Sequence, residues 1–228
     1  MPHVWISHVG HALPGPALRQ DAIVNWLEPR LDAGSDRRKF RRFAERSQIE
    51  VRHSVLDLLG DEGDAFYPLS GARADAAVRS RAFAQRALPL AVSAVNDACP
   101  QGLPAITHVV VATCTGAVAP GLDIQLVRAL GLDPTVKRTM VAFMGCYAAI
   151  PALRCAWDSC RADPDAVVLV VCCELSSLHF QPGPDLDSLL GACLFSDGAA
   201  AAIVCSGDMP VGLGLRIANQ ASMLVPDS

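Results

Sequence analysis

The chain has 228 residues, 51% of them hydrophobic and 18% charged, which is enough apolar material for one large core or two small ones and excludes a disordered chain. Nineteen basic and 23 acidic side chains leave a formal net charge of −4, so no overall basic field draws the protein to nucleic acid or an anionic membrane, and any anion site must be local. The nine cysteines fall mostly within hydrophobic runs, with no CxxC pair and no His-spaced partner. That pattern favours reduced thiols over a secreted disulfide scaffold and suggests no metal site.

At the N-terminus, His8 and His11 interrupt the apolar stretch that a signal peptide would need. The longest apolar run, Met140 to Leu153, falls below the ~18 residues that suggest a membrane span. A soluble, cytoplasmic protein is expected.

In chain order, Val4 to Val9 alternates weakly and reads as a first strand, followed by a Pro/Gly turn and a short helix from Asp21 to Leu31. Arg37 to Arg46 reads as a helix, because Phe40 and Phe43 lie three apart and would lay two rings on a core while the charges line the other face. Asp57 to Ala72, with three glycines and a proline, reads as loop, and the alanine-rich Asp75 to Ala98 as a helix despite Pro89. From Thr107 the pattern changes to short, solidly apolar runs: Thr107 to Ala112, Thr139 to Phe143, Ala166 to Cys173 and Ala199 to Cys205. Such runs fit strands buried on both faces. Helical stretches at Leu122 to Leu130, Ala148 to Arg161 and Leu186 to Leu194 lie between them, spaced as crossover helices are. The expected fold class is therefore a layered α/β architecture with a mostly parallel sheet.

Of the nine thiols, Cys146 has the most suggestive setting. It follows the apolar TMVAFMG and precedes the helical AAIPALRCAWDSC, so it sits at a strand, a Gly turn and a helix start. The positive end of a helix dipole and free backbone N–H groups can lower a thiol pKa and cradle an oxyanion. A small buried core thiol is the competing reading, and periodicity does not decide between them.

Four segments taken together carry a resemblance: ATCTGAVAPGLDIQLVRALGL, GCYAAIPALR, VLVVCCELSSLHFQ and LDSLLGACLFSDGAAAAIV. In order and spacing they resemble the type III polyketide synthases, the chalcone synthase-like enzymes of the thiolase fold, and CTG with LHFQ is closer to the bacterial branch. The resemblance runs from about Lys39 to the C-terminus and implies the N-terminal half of that fold across residues 1–228, with the C-terminal half absent from the chain.

It also implies roles. Cys146 matches the nucleophile that takes an acyl group from coenzyme A and holds the growing chain as a thioester. Lys39, Arg42 and Arg46 match the residues that bind coenzyme A phosphates, and their i, i+3, i+7 spacing puts them on one helix face; an ordinary solvated basic face is the alternative. Phe195 matches the aromatic gatekeeper between the coenzyme A tunnel and the cavity, against a core phenylalanine. Cys114, Ser176 and His179 match positions that line the cavity, with a core thiol the alternative for Cys114 and a backbone-bonded histidine for His179. The implied substrates are acyl-CoA and malonyl-CoA, with no cofactor beyond these thioesters, and the implied assembly is a homodimer or a complex with a chain supplying the second half.

Two positions depart from the family. Ala119 stands where plant members carry a methionine that crosses the dimer, so the resemblance does not carry that contact over. Pro151 lies within the helix after Cys146 and is comfortable only in a first turn, so that helix should start a residue or two past the nucleophile, or bend. The family completes its site with a histidine in an HPGG-like context, an asparagine after a GN-type turn and a GFGPG loop, none of which occurs here. The expectation is an acyltransferase that loads a starter on Cys146 and extends it by decarboxylative Claisen condensation, incomplete without a second half carrying His and Asn. The alternatives are a non-catalytic half-fold acting through a partner, and a carrier-protein-dependent thiolase-fold enzyme, against which KFRRFAERS and LHFQ argue.

Overall fold

The computed structural model describes residues 3–32, 34–70, 72–181, 183, 185–207 and 214–223. Strand β1 runs over Val4–Ala12, three residues beyond the predicted end, because its whole length pairs with a later strand. After β2 (Leu18–Arg19), helix α1 covers Gln20–Leu27 and tightens into a 3-10 turn at Glu28–Arg30. Pro29 offers no N–H for an α-helical bond, so the predicted single helix to Leu31 changes pitch there. Helix α2 (Arg37–Arg46) has the predicted bounds, buries Phe40 and Ala44, and is capped by Asp36. Then follow β3 (Val51–Arg52), which pairs with β2, and α3 (Asp61–Phe66).

Helix α3 corrects the loop predicted over Asp57 to Ala72. Asp61, Glu62 and Asp64 stack acidic charge in its first turn, which favours a helix N-terminus, and Phe66 anchors its end in the core. Helix α4 (Ala76–Ala98) continues through Pro89. Proline costs about 3 kcal/mol in a helix interior, but burial of the Phe83, Ala87, Leu90, Ala91, Ala94, Val95 face outweighs that loss.

The second half of the chain supplies β4 (His108–Thr113), α5 (Leu122–Ala129), β5 (Lys137–Ala142), α6 (Ala149–Ala162), β6 (Val167–Leu175), α7 (Leu186–Leu194), β7 (Asp197–Ser206) and β8 (Leu215–Ile217). The main sheet has the order β5-β4-β6-β7-β1-β8. Its β5-β4-β6 portion is parallel and the rest antiparallel, so the layered α/β class holds with a mixed sheet. Strand alternation divides the core into two layers. Val109, Val111, Leu169, Val171 and Ile203 join the core of α4, while Val110, Ala112, Val168, Val170 and Val204 join Ala152, Ala156 and Cys160 of α6. The sheet is thus packed between helices on both faces, which is why β4 is buried at every residue.

Strand β5 departs from the expectation of burial on both faces. It pairs only with β4 at the sheet edge, and of its residues only Val141 is buried. No helix among the described residues is long and apolar enough to cross a membrane.

Candidate active site

The chain leaves β5 at Ala142 and turns through Phe143 (φ 56°) and Gly145 (φ 84°). A positive φ at phenylalanine is uncommon and marks a held conformation, whereas glycine adopts it freely. The turn closes with Ala148 N–H donating to Gly145 O at 3.0 Å, and α6 starts at Ala149. Cys146 sits in this turn and is exposed. Among the described residues, the N–H groups of Cys146 and Tyr147 have no acceptor, so both are free at the positive end of a long helix. Pro151 falls in the first turn of α6, where its missing N–H costs nothing. The helix starts three residues past Cys146, one beyond the expected range, which accommodates that proline.

A cavity of about 700 Å³ opens over this turn, and Cys146, Cys114, Ser176, His179 and Phe195 all line it. Five candidates drawn from four separate segments therefore meet in one place. Glu174, at the end of β6, accepts from Cys114 N–H (2.7 Å) and Thr115 Oγ1 (2.6 Å), and Thr115 Oγ1 accepts from Leu175 N–H (2.9 Å). This carboxylate holds the turn after β4 in place, and Cys114 Sγ lies 3.7 Å from Gly145 O, directly against the turn that carries Cys146. His179 Nε2 is 2.7 Å from Thr115 O, so its ring is tied to the backbone, as in the simpler of its two readings.

The thiols are not equivalent. Cys172 also lines the cavity, but burial, with Glu174 adding to it, pushes its pKa up to about 11. Burial pushes Cys160 and Cys173 up to about 12 and Cys193 up to about 11, and it raises Cys99 and Cys155. Desolvation disfavours the thiolate, which is the reactive form. Cys146 is the exposed thiol among the nine.

Lys39, Arg42 and Arg46 do not line the cavity. They lie on the exposed side of α2, opposite Phe40 and Ala44, and their side chains have no ion-pair or hydrogen-bond partner among the described residues. Helix α2 packs on α7, where the Cys193 thiol donates to Phe40 O at 3.5 Å, and α7 contributes Asp187, Ser188, Gly191 and Ala192 to the cavity wall. The basic face and the cavity are joined through these two helices.

Several residues that build the site escaped the sequence reading. Buried Asp197 accepts from Ser177 N–H (2.7 Å), Ser177 Oγ (2.5 Å) and Val55 N–H (2.8 Å), fastening two wall segments to the start of β7. Burial raises its pKa against the lowering effect of those bonds. Buried Arg52 donates through Nη1 to Ala192 O (2.9 Å) and Phe195 O (3.0 Å). The faint signal for Asp197 and Glu174 was a lone carboxylate abutting a fully apolar run, in SDGAAAA and VVCCEL.

Strands packed between helices, with a cysteine at a strand-to-helix turn facing a cavity, make a layered α/β scaffold of the thiolase type. The family model "Chalcone and stilbene synthases, N-terminal domain" matches residues 3–208, and the chain belongs to this family. It is 38% identical over 192 residues to the alpha-pyrone synthesis polyketide synthase-like Pks18 of Mycobacterium tuberculosis, covering 82% of this chain and 47% of that protein. The chain thus spans about half the length of the curated relatives it matches. Among solved structures, the C-terminal type III polyketide synthase domain of Steely1, a type I/III hybrid from Dictyostelium, aligns with a TM-score of 0.80 at 29% identity, over 94% of this chain and 59% of that one. PKS-I from the brown alga Ectocarpus siliculosus gives 0.78 at 26%, over 91% and 57%.

Proposed function

We propose that this chain performs the acyl-loading step of a type III polyketide synthase. The Cys146 thiolate attacks the carbonyl carbon of an acyl-CoA, the bond from that carbon to the coenzyme A sulfur breaks, and coenzyme A leaves as a thiol after taking up a proton. The observation that carries this reading is the exposed Cys146 at a helix N-terminus, facing a cavity of about 700 Å³. Its free N–H groups stand ready for the oxyanion of the tetrahedral intermediate. Extension follows when malonyl-CoA loses CO2 and the resulting enolate attacks the Cys146 thioester, expelling the thiolate. That enolate needs strong donors, which family members carry in HPGG and GN contexts; neither occurs in these 228 residues. Losing such a donor costs about 10²–10³ in rate, so condensation at full rate draws on a histidine and an asparagine from further sequence or a second chain.

Phe195, 53% exposed at the end of α7, gates the cavity, and Lys39, Arg42 and Arg46 hold the coenzyme A phosphates. The Arg42→Ala/Arg46→Ala variant should bind coenzyme A about tenfold more weakly at low salt, the scale of two exposed charge contacts, with a smaller difference at high salt. Calorimetric titration at two ionic strengths measures it; equal affinities would return this face to ordinary solvated surface.

The turn and first helical residues beside Cys146 expose Phe143 (69%), Tyr147 (58%) and Ile150 (56%), next to the open edge of β5. A second copy of this chain covers that surface, since contiguous apolar patches are rare on soluble monomers. Light scattering should give a dimer for the parent chain and a monomer for Phe143→Asp/Ile150→Glu, aspartate being tolerant of the positive φ at 143. A monomeric parent chain that binds no apolar dye would sink this assembly.

A further inference from the structure

The end of α7 is held in an unusual way. The last carbonyls of a helix have no partner within it, and here the helix end is buried at Ala192 and Cys193. Two buried side chains from the N-terminal part of the chain reach these groups. Gln20 Nε2 donates to Cys193 O at 2.8 Å, and Arg52 Nη1 donates to both Ala192 O and Phe195 O. Arg52 and Gln20 come from the small β2-β3 ribbon and the residue after it. The carbonyl of Phe195 itself is therefore pinned by a guanidinium. The Phe195 ring has a second restraint: a Cβ built on Gly191 would lie 3.1 Å from its Cε2 atom and 3.4 Å from Cδ2. The ring lies across the bare backbone of Gly191, one helical turn back, and no other aromatic ring stacks on it among the described residues.

Arg52 belongs to the cavity wall, but it presents little surface there. The residue is 7% exposed, and its Nε and Nη2 atoms are shielded from solvent with no hydrogen-bond partner. Burial pushes the Arg52 pKa down to about 10, with nearby Cys193 and Asp197 acting against that shift. Burying a guanidinium whose donors are only partly used is costly, and the bonds it does make go to the end of α7 and the Phe195 carbonyl.

We infer that Arg52 is the positioning residue for Phe195, setting the aperture of the cavity and with it the acyl chain length that reaches Cys146. This rests on the loading reading given above and deepens it. With Arg52 removed, the helix end and the ring lose their fixed placement, and discrimination between short and long acyl chains falls.

The test uses the full chain with a single fluorinated phenylalanine placed at position 195, in the parent, Arg52→Met, Arg52→Lys and Gly191→Ala proteins. Fluorine NMR reads the ring directly, and intact mass after incubation with acyl-CoAs from acetyl to palmitoyl reads the ratio of Cys146 acylation rates. That ratio is unaffected by any loss of folded protein. Arg52→Met should shift or broaden the fluorine resonance and change the long-to-short ratio about tenfold, the scale at which an apolar pocket discriminates. Arg52→Lys should fall between, and Gly191→Ala should move both readouts with Arg52 intact. An unchanged resonance or an unchanged ratio in folded Arg52→Met overturns the inference, and Arg52→Lys gives the same decision if the methionine variant does not fold. If the parent chain takes no acyl group from any thioester, the loading reading fails, and the fluorine resonance still decides whether Arg52 holds the ring.

Discussion

Cys146→Ala should abolish acyl-enzyme formation, lowering it on the order of 10⁴-fold or more, the scale seen when a nucleophile is removed. Incubation with a long-chain acyl-CoA followed by intact-mass and peptide analysis measures it directly. In the parent chain the acyl group should sit on Cys146 and on no other thiol to a comparable extent. The physical reason is selective desolvation: six of the other thiols are pushed upward by burial, including cavity-lining Cys172 at about 11, and a thiol that far above neutral pH presents almost no thiolate. Cys146 combines exposure with free N–H groups at the start of α6. Acyl transfer to Cys172 or Cys205 with Cys146 untouched would overturn the assignment.

The second large effect is on stability. Asp197→Ala removes the acceptor of three buried or half-buried donors, Ser177 N–H, Ser177 Oγ and Val55 N–H, and leaves Arg52 without its nearby counter-charge. An unmet buried donor costs about 1–3 kcal/mol, so a loss of about 3 kcal/mol is expected, lowering the melting temperature by about 6–12 °C for a chain of this size. The tethered segments supply His53, Ser54, Ser176 and Ser177 to the cavity wall, so acylation of Cys146 should fall as well, even below the melting range.

Asp197→Asn separates charge from acceptor. Burial raises the Asp197 pKa in the fold, so the native state binds this proton more tightly than the unfolded chain does. Its contribution is then lost as pH rises from the ordinary carboxylate value to the raised native one. The urea stability of the parent minus that of Asp197→Asn should decline with pH across that window, and a flat difference would mean that the carboxylate is not desolvated as described.

Much of the architecture was legible from local pattern. Helices α2 and α7 have the predicted bounds, since the Phe40 and Phe43 spacing that marked α2 and the capping aspartates Asp36 and Asp185 act within a turn or two of the chain, although α2 fully buries Phe40 and Ala44 and only half-buries Phe43. Strands β4 and β6 announced themselves as apolar runs because both of their faces are largely buried, which removes alternation, whereas the apolar run of β7 covers a strand that buries Ala199, Ala201 and Ile203 and leaves Ala200 exposed. Cys146 was marked by a Gly turn between a strand run and a helix run, all of it contiguous in sequence. The family motifs then pointed to Cys114, Ser176, His179 and Phe195, and these do meet Cys146 around one cavity.

What remained hidden depends on partners distant in sequence. The apolar run of β5 looks like that of β4, and only the strand order, with β5 at the edge, leaves Met140 exposed. The short helix α3 sits among glycines that propensity reads as loop, and packing of Phe66 against the core overrides them. Arg52, in an undistinguished VRHSV, reaches carbonyls about 140 positions away, and Asp197 bonds residues on both sides of the cavity. A local sequence carries propensity and periodicity, which act over a few residues. The value of a buried charge or an orphan carbonyl is set by whichever atoms the fold brings within 3 Å, and that the tertiary structure alone decides.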